Sequence, residues 1–298
     1  MPRVFEFRWN SQNLPYFRVV ENDDLREMPL YFGVNVSLKI TDDIRCTGFE
    51  KDGKWHDCAE KARGVKKCEN CKRAEGMSAA QYCDGFNTEM FSADELESLN
   101  CPHYLYLALF DENLVKVGVS ASSRGLLRQI EQGSHFCAIV ADGMWGVPAR
   151  QMETLIRRAG MPDKIQSSQK QNLIFPEISP EKGRKILENL IAEKIPAVLA
   201  ERPDFEQFLK KPPAFHDFSK FYKIDAAKKI EKPLTDAALE VGESVSGALV
   251  AAKGPFLILE TDAEKVLIDA KKLKGFEIDF SPREIGLRKN DAFQSALF

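Results

Sequence analysis

The chain has 298 residues, 44% of them hydrophobic and 29% charged, with a formal net charge of −3. This is ordinary globular composition, long enough for two or three domains with adequate cores. It excludes a chain-wide basic field for nucleic acid, and no apolar run approaches a membrane span, so any nucleic-acid surface has to be local. The first residues, from Met1 through Glu6, lack the apolar core of a signal peptide, which sets the expectation of a cytoplasmic protein. In that compartment seven cysteines point to metal ligands or reduced thiols.

Residues 1–45 are expected to be β-rich, with strands at 3–9, 16–20 and 31–39. The alternation of Val34, Val36, Leu38 and Ile40 suits a half-buried strand. An insert rich in Cys, Lys and Gly follows from 45 to about 87. A buried strand over 104–110, a turn at Asp111, Glu112 and Asn113, and a second strand over 114–120 make a β-hairpin. Leu126, Leu127 and Ile130 then fall at helical spacing over 125–131, and 136–142 predicts a third strand. A helix begins near Pro148, a residue suited to a first turn, with Met152, Leu155 and Ile156 as its apolar face. Further helices are expected over 180–200 and 204–209, and Pro212 and Pro213 punctuate a boundary. Phe215, Phe218, Phe221 and Tyr222 interleave with Lys220 and Lys223. Their helical spacing fits packing better than base stacking. From 236 onward the pattern returns to strands at 244–252, 256–261, 265–269 and 276–278, ending in a tail over about 287–298.

Within the insert, Cys46, Cys58, Cys68 and Cys71 are the best ligand set. Cys68 and Cys71 form a CxxC, whose spacing lets two thiolates of one knuckle reach one zinc ion. Lys54, Lys61, Lys66, Lys67 and Lys72 would partly offset such a centre, whose charge is about −2. Four protein ligands leave no open position for water, so the zinc would be structural. The alternatives are scattered buried thiols or a redox CxxC, and His56 and Cys83 are substitute ligands. Cys101 and Cys137, beside or within strands, are expected to be packed small residues.

The hairpin carries Tyr104, Leu105 and Tyr106 on its first strand and Lys116, Val117 and Gly118 on its second, with Arg128 on the helix that follows. A cysteine cluster followed by this hairpin resembles a microbial family of domains of unknown function with a GIY-YIG-like core. The likeness runs from about 45 to 156. The wider resemblance is to GIY-YIG nucleases, which implies that Tyr106 acts as or orients the base for an attacking water. It also implies that Arg128 contacts the scissile phosphate, with Arg124 as the alternative, and that Glu153 binds one Mg²⁺ or Mn²⁺ ion. Lys116 would donate to phosphate, and Tyr104 and Arg150 would line the substrate. Two positions depart from the nuclease pattern: Lys116 stands where it has tyrosine, and Tyr104 where it has glycine. The asparagine that often follows has no clear counterpart, with Asn172 as a candidate.

Each residue also has an ordinary structural reading. Tyr104 and Tyr106 suit core aromatics, Arg128 a solvated helix face, Glu153 an ion pair with Arg150 or Arg157, and Gly118 a backbone requirement. Arg150, Arg157 and Arg158 make one end of the Glu153 helix positive, a phosphate-binding surface or an exposed face. The last residues, Gln294 to Phe298, resemble the peptide by which bacterial DNA-processing proteins bind the sliding clamp, with Gln294, Leu297 and Phe298 as its anchors.

The expected fold is α+β: an N-terminal β region with the zinc knuckle over 1–100, a GIY-YIG-like α/β domain over 101–211, and a linker, small β module and tail over 212–298. The expected function is nucleic-acid binding with metal-dependent phosphodiester cleavage. The alternative is a non-catalytic zinc-containing module that binds nucleic acid or protein through a degenerate site. An enzyme of another class has no support, since no P-loop, dinucleotide fingerprint, HExxH or GxSxG occurs.

Overall fold

Alternating apolar residues at the two ends of the chain meet in one sheet. The computed structural model describes residues 1–51, 53–76 and 79–281. It divides into one unit formed by Met1–Gly76 with Phe221–Phe298, and a second formed by Met77–Lys220. The clamp-like residues Gln294, Leu297 and Phe298, and the tail that carries them, lie outside the described residues.

In the first unit the chain opens with β1 (Arg3–Trp9), β2 (Pro15–Glu21), β3 (Asp24–Pro29) and β4 (Asn35–Asp42). A small hairpin, β5 (Phe49–Lys51) and β6 (Lys54–His56), and a short helix, α1 (Glu69–Glu75), follow. In the second unit come α2 (Ala79–Tyr82), α3 (Ala93–Glu97), β7 (Pro102–Asp111), β8 (Leu114–Ala121), α4 (Leu127–Gln132), β9 (Phe136–Trp145), α5 (Gly146–Arg158), α6 (Ser167–Asn172), α7 (Pro180–Glu201) and β10 (Leu209–Asp217). After α8 (Ser219–Tyr222) at the junction, the chain returns to the first unit with α9 (Ile224–Lys228), β11 (Leu234–Asp236), β12 (Ser244–Lys253), β13 (Phe256–Glu260), β14 (Lys265–Asp269) and β15 (Glu277–Asp279).

The large sheet has the order β11-β14-β13-β12-β4-β15-β1-β2-β3 among the described residues. Its pairs are antiparallel except β11 with β14. Strand β15 sits between β4 and β1, with Arg3 opposite Glu277 and Ile278 opposite Ile40. Strand β12 pairs with β4, Val245 opposite Leu38. The expected division at 100 and 212 therefore does not describe this arrangement. The C-terminal strands are not a separate module, because they supply the partners that β1 and β4 need for their backbone groups. Val4, Phe17, Leu38, Ile40, Leu249, Leu257, Leu259 and Ile278 are buried in this unit.

The second unit is a four-stranded antiparallel sheet, β10-β9-β7-β8, with both faces covered. On one face Leu105, Leu107 and Leu109 pack with Ala149, Met152, Leu155 and Ile156 of α5 and Leu187, Ile195 and Val198 of α7. On the other, Tyr104, Tyr106, Ala108 and Phe110 form their own cluster with Leu114, Ile139 and Ile165. Burial on both faces explains the unbroken apolar run of β7.

Two expectations for 204–222 are corrected. Pro212 and Pro213 lie within edge strand β10, where the register breaks between Leu209 and Ala214. An edge bulge tolerates residues that donate no ladder hydrogen bond. Phe215 is on that strand beneath the Arg184 guanidinium, 4.6 Å from its ring centroid, so the aromatics do not share a helix. Phe218 and Tyr222 are fully buried, consistent with packing.

Helix α7 approaches the sheet closely at Gly183, where an added Cβ would lie 2.6 Å from Cδ2 of the buried Phe136 ring. Gly183→Ala is expected to cost about 1–3 kcal/mol through overpacking. Urea denaturation checks this, and an unchanged midpoint would show that α7 shifts freely.

Candidate functional site

Four cysteines meet where the chain leaves β4. Cys46 lies between β4 and β5, Cys58 follows β6, Cys68 is the N-cap of α1, and Cys71 is in its first turn. Their sulfurs lie within 4.8 Å of one another, and Cys58 Sγ is 3.7 Å from Cys68 Sγ. A tetrahedral thiolate site with metal–sulfur bonds of about 2.3 Å requires sulfurs about 3.8 Å apart. The donor set and spacing therefore fit a metal ion.

The backbone fixes this geometry. The Cys46 amide donates to the Ala62 carbonyl (2.8 Å), the Cys68 amide to Cys46 Sγ (3.2 Å), and Trp55 Nε1 to the Thr47 carbonyl (2.9 Å). At Gly48, with φ +75°, a Cβ would fall on the His56 carbonyl, so the hairpin can close only on glycine. Burial pushes the Cys46 and Cys71 thiols up, while hydrogen bonding from the Cys71 amide pulls the Cys68 thiol down.

Neither substitute ligand joins the cluster. His56 stacks on Phe49 with ring centroids 4.9 Å apart, and Cys83 packs with Ala79, Phe91 and Leu99 in the second unit. Four of the five surrounding lysines have local partners: Lys61 pairs with Asp57, Lys67 with Glu75 (2.5 Å), Lys72 with Glu69 (2.6 Å), and Lys66 donates to the Lys271 carbonyl (3.3 Å), while Lys54 is exposed.

The hairpin residues meet on the tyrosine face of the second sheet. Tyr106 lies opposite Gly118, Tyr104 opposite Ser120, and Ala108 opposite Lys116. Tyr106 is fully buried, and its hydroxyl accepts a hydrogen bond from Gln132 Nε2 of α4 (3.1 Å). Burial, with Glu153 adding and Arg128 opposing, pushes this hydroxyl up to about 12. Gly118 leaves room for the tyrosine: a Cβ there would lie 2.5 Å from Tyr106 Cζ. Tyr104 is buried too; its hydroxyl donates to the Gly125 carbonyl and lies 3.1 Å from Gln129 Oε1, a contact that ties α4 to the sheet.

The charged residues sort themselves. Arg124 is paired with Glu131 (2.5 Å), Arg150 with Glu153 (2.8 Å), and Arg157 with Asp163 (3.6 Å), while Arg158 lies over the Phe86 ring (4.7 Å). The three arginines of α5 therefore do not form one free basic end. Arg128 is exposed and makes no hydrogen bond or ion pair among the described residues. Asn172, the last residue of α6, is also exposed. Arg128 belongs to α4, on the tyrosine face, and Glu153 to α5, on the leucine face. Even so, both act electrostatically on Tyr106 and Lys116. The edge of β8 links the two sides: Val117 N donates to the Pro162 carbonyl (2.9 Å) and Lys116 Nζ to that of Asp163 (2.7 Å).

Residues 33–278 match a family described as protein of unknown function, DUF2797. The chain belongs to that family. The match spans the four cysteines, both strands of the hairpin, Arg128 and Glu153. No curated protein and no solved structure matched. No described helix is long and apolar enough to cross a membrane.

Sequence reasoning missed the second layer of both sites. Gln132 and Gln129 orient the tyrosine hydroxyls, and Asp163 receives Lys116. No spacing rule marks a glutamine on a short helix or a backbone carbonyl.

Lys116 sets a pH dependence. It is 8% exposed, and burial, with Arg128 and Arg150 against Glu153 and Asp163, holds its ammonium at about 8 instead of 10.5. Between those values the unfolded chain binds more protons than the folded one. The cost is therefore complete below pH 8 and fades as pH rises toward 10.5. A shift of this size corresponds to about 3 kcal/mol. Lys116→Met should gain about 1–3 kcal/mol at neutral pH in urea denaturation, with the gain shrinking above pH 8. A variant less stable than wild type at neutral pH would mean that the bond to Asp163 outweighs burial.

Proposed function

We propose that residues 77–220 form a GIY-YIG-like domain that binds the phosphodiester backbone of nucleic acid through Arg128, and that the four cysteines hold a structural zinc ion. The carrying observation is Arg128 itself: an exposed guanidinium without an ion pair among the described residues, beside the buried ammonium of Lys116. A free guanidinium matches phosphate geometry, whereas Arg124 and Arg150 already have carboxylates. The order of elements also supports the reading, with hairpin, arginine helix, strand and glutamate helix following in turn. Tyr104 and Tyr106 are given supporting roles. A fully buried Tyr106 hydroxyl bonded to Gln132 does not meet a water in bulk solvent, so the role of base expected from the resemblance is not assigned to it.

Cleavage is the second reading, favoured by the electrostatic reach of both Arg128 and Glu153 to Tyr106 and Lys116. Glu153 would be the protein ligand for Mg²⁺ or Mn²⁺, an ion that polarises a phosphate when bound. Glu153 is already paired with Arg150, and among the described residues the four cysteines are the one gathered set of metal-ligating side chains. Binding without cleavage therefore fits the geometry more directly.

Fluorescence anisotropy with labelled single-stranded, duplex and branched DNA and with RNA tests the binding. Arg128→Ala should weaken it several-fold on every sequence and lower the salt slope by about one. Equal affinity for variant and wild type would remove Arg128 from the interface. With Mg²⁺ or Mn²⁺ added, cleavage that Glu153→Ala abolishes while binding persists would establish the second reading, and intact substrate with wild type would dismiss it.

For the metal, freshly purified protein should carry about one equivalent of zinc, and Cys71→Ser should carry little. A chelator should lower the melting temperature of wild type alone. Less than about half an equivalent in wild type would count against the site.

A further inference from the structure

A thiolate centre with charge about −2 in a buried pocket needs a nearby cation. Of the insert's lysines, Lys61, Lys66, Lys67 and Lys72 are engaged with acids or a carbonyl, and Lys54 is exposed to solvent, where its charge is screened. The buried cation beside the cluster comes instead from the first strand of the chain. Arg3 is 8% exposed, and its Nη2 donates to Asp57 Oδ1 at 3.0 Å. The same carboxylate oxygen accepts the Cys58 amide at 2.8 Å, and Lys61 pairs with its other oxygen. Arg3 is thus one hydrogen-bonded group away from a ligand, and Cys46 and Cys58 both act on it electrostatically. Its Nε is buried without a hydrogen-bond partner among the described residues, so the guanidinium's desolvation is only partly offset by Glu277, opposite it on β15, and by Asp57.

We propose that Arg3 is a positioning residue of the metal centre: it holds Asp57 against the Cys58 amide and supplies the fixed positive charge that stabilises the thiolate-bound ion. The Arg3, Asp57 and Lys61 group carries one net positive charge beside the centre. Of its two cations, Lys61 is largely exposed and weakened by solvent screening, whereas Arg3 is not. The register of β1 against β15 places Arg3 there, so the position is set by the sheet and not by the knuckle.

The inference rests on the cysteines holding zinc, and competition with a chelating dye separates the two claims. Arg3→Gln should bind zinc about 10–100-fold more weakly, the range seen when outer-shell partners are removed. Arg3→Lys, which keeps the charge, should recover most of the loss. Cobalt substitution should give the same thiolate charge-transfer bands in all three proteins, showing that the ligand set is intact. Wild type that takes up no zinc removes the metal reading and this inference with it. Wild type that binds zinc while a folded Arg3→Gln binds it equally well overturns the inference alone. If Arg3→Gln does not fold, Arg3→Lys decides: near-wild-type affinity supports the role of charge, and a loss of tenfold or more overturns it.

Discussion

Strand β15 pairs on both sides, with β4 and with β1, and the first unit depends on that insertion. Without it β1 and β4 would each present a row of unpaired amides and carbonyls, and the sheet would split into two smaller ones. The insertion joins residues more than two hundred positions apart, so it carries a large loop-closure cost that only the finished core repays. It also sets where Arg3 sits. With Arg3 opposite Glu277, its guanidinium is delivered to Asp57 and the cysteine loop, while Arg45 reaches the Glu277 carboxylate at 3.4 Å. The knuckle is therefore fastened to the sheet by side chains of β1 and β15 as well as by its own cysteines.

The amino-acid pattern carried the strands themselves but not their partners. Alternation at Val36, Leu38 and Ile40 of β4 follows from one face being buried, a local property, whereas Val34 precedes the strand and is exposed. Which strands adjoin is a non-local property, and no period records it. Strand β10 was hidden by Pro212 and Pro213, which read as a boundary, and two others were illegible for a simpler reason. β3 lies at the sheet edge with mostly exposed charged residues, and β11 has only three residues. Edge strands avoid the apolar alternation that would advertise them, since charge there guards against unwanted pairing.

The same contrast separates the two candidate sites. Cysteine spacing is a strong local signal, because two thiolates of one turn must reach one ion, and the four residues so marked do come together. Arg3 has no such signal, being one of two arginines in a strand that also carries Glu6. In the second unit the tyrosines and Gly118 were visible as a pattern that admitted a core reading as well as a catalytic one, and the packing matches the core reading. Gly118 is needed because an aromatic ring crosses its backbone, and Tyr106 is a core residue whose hydroxyl is satisfied by Gln132. Arg128 and Arg124 look alike in sequence. They differ in that Glu131 has already claimed Arg124.

Lys116 shows how the second unit limits what can approach it. A tyrosine at this position could be buried with only its hydroxyl to satisfy, whereas an ammonium must be desolvated. The bond from Lys116 to the Asp163 carbonyl and the bond from Val117 to the Pro162 carbonyl are made by adjacent residues on each side. Together they seal the outer edge of β8 with a segment that is not itself a strand, so no further strand can add there. The lysine's stem is buried against the sheet and its charge is spent on a carbonyl. The cation that this part of the unit leaves exposed on α4 is Arg128, which makes no ion pair among the described residues.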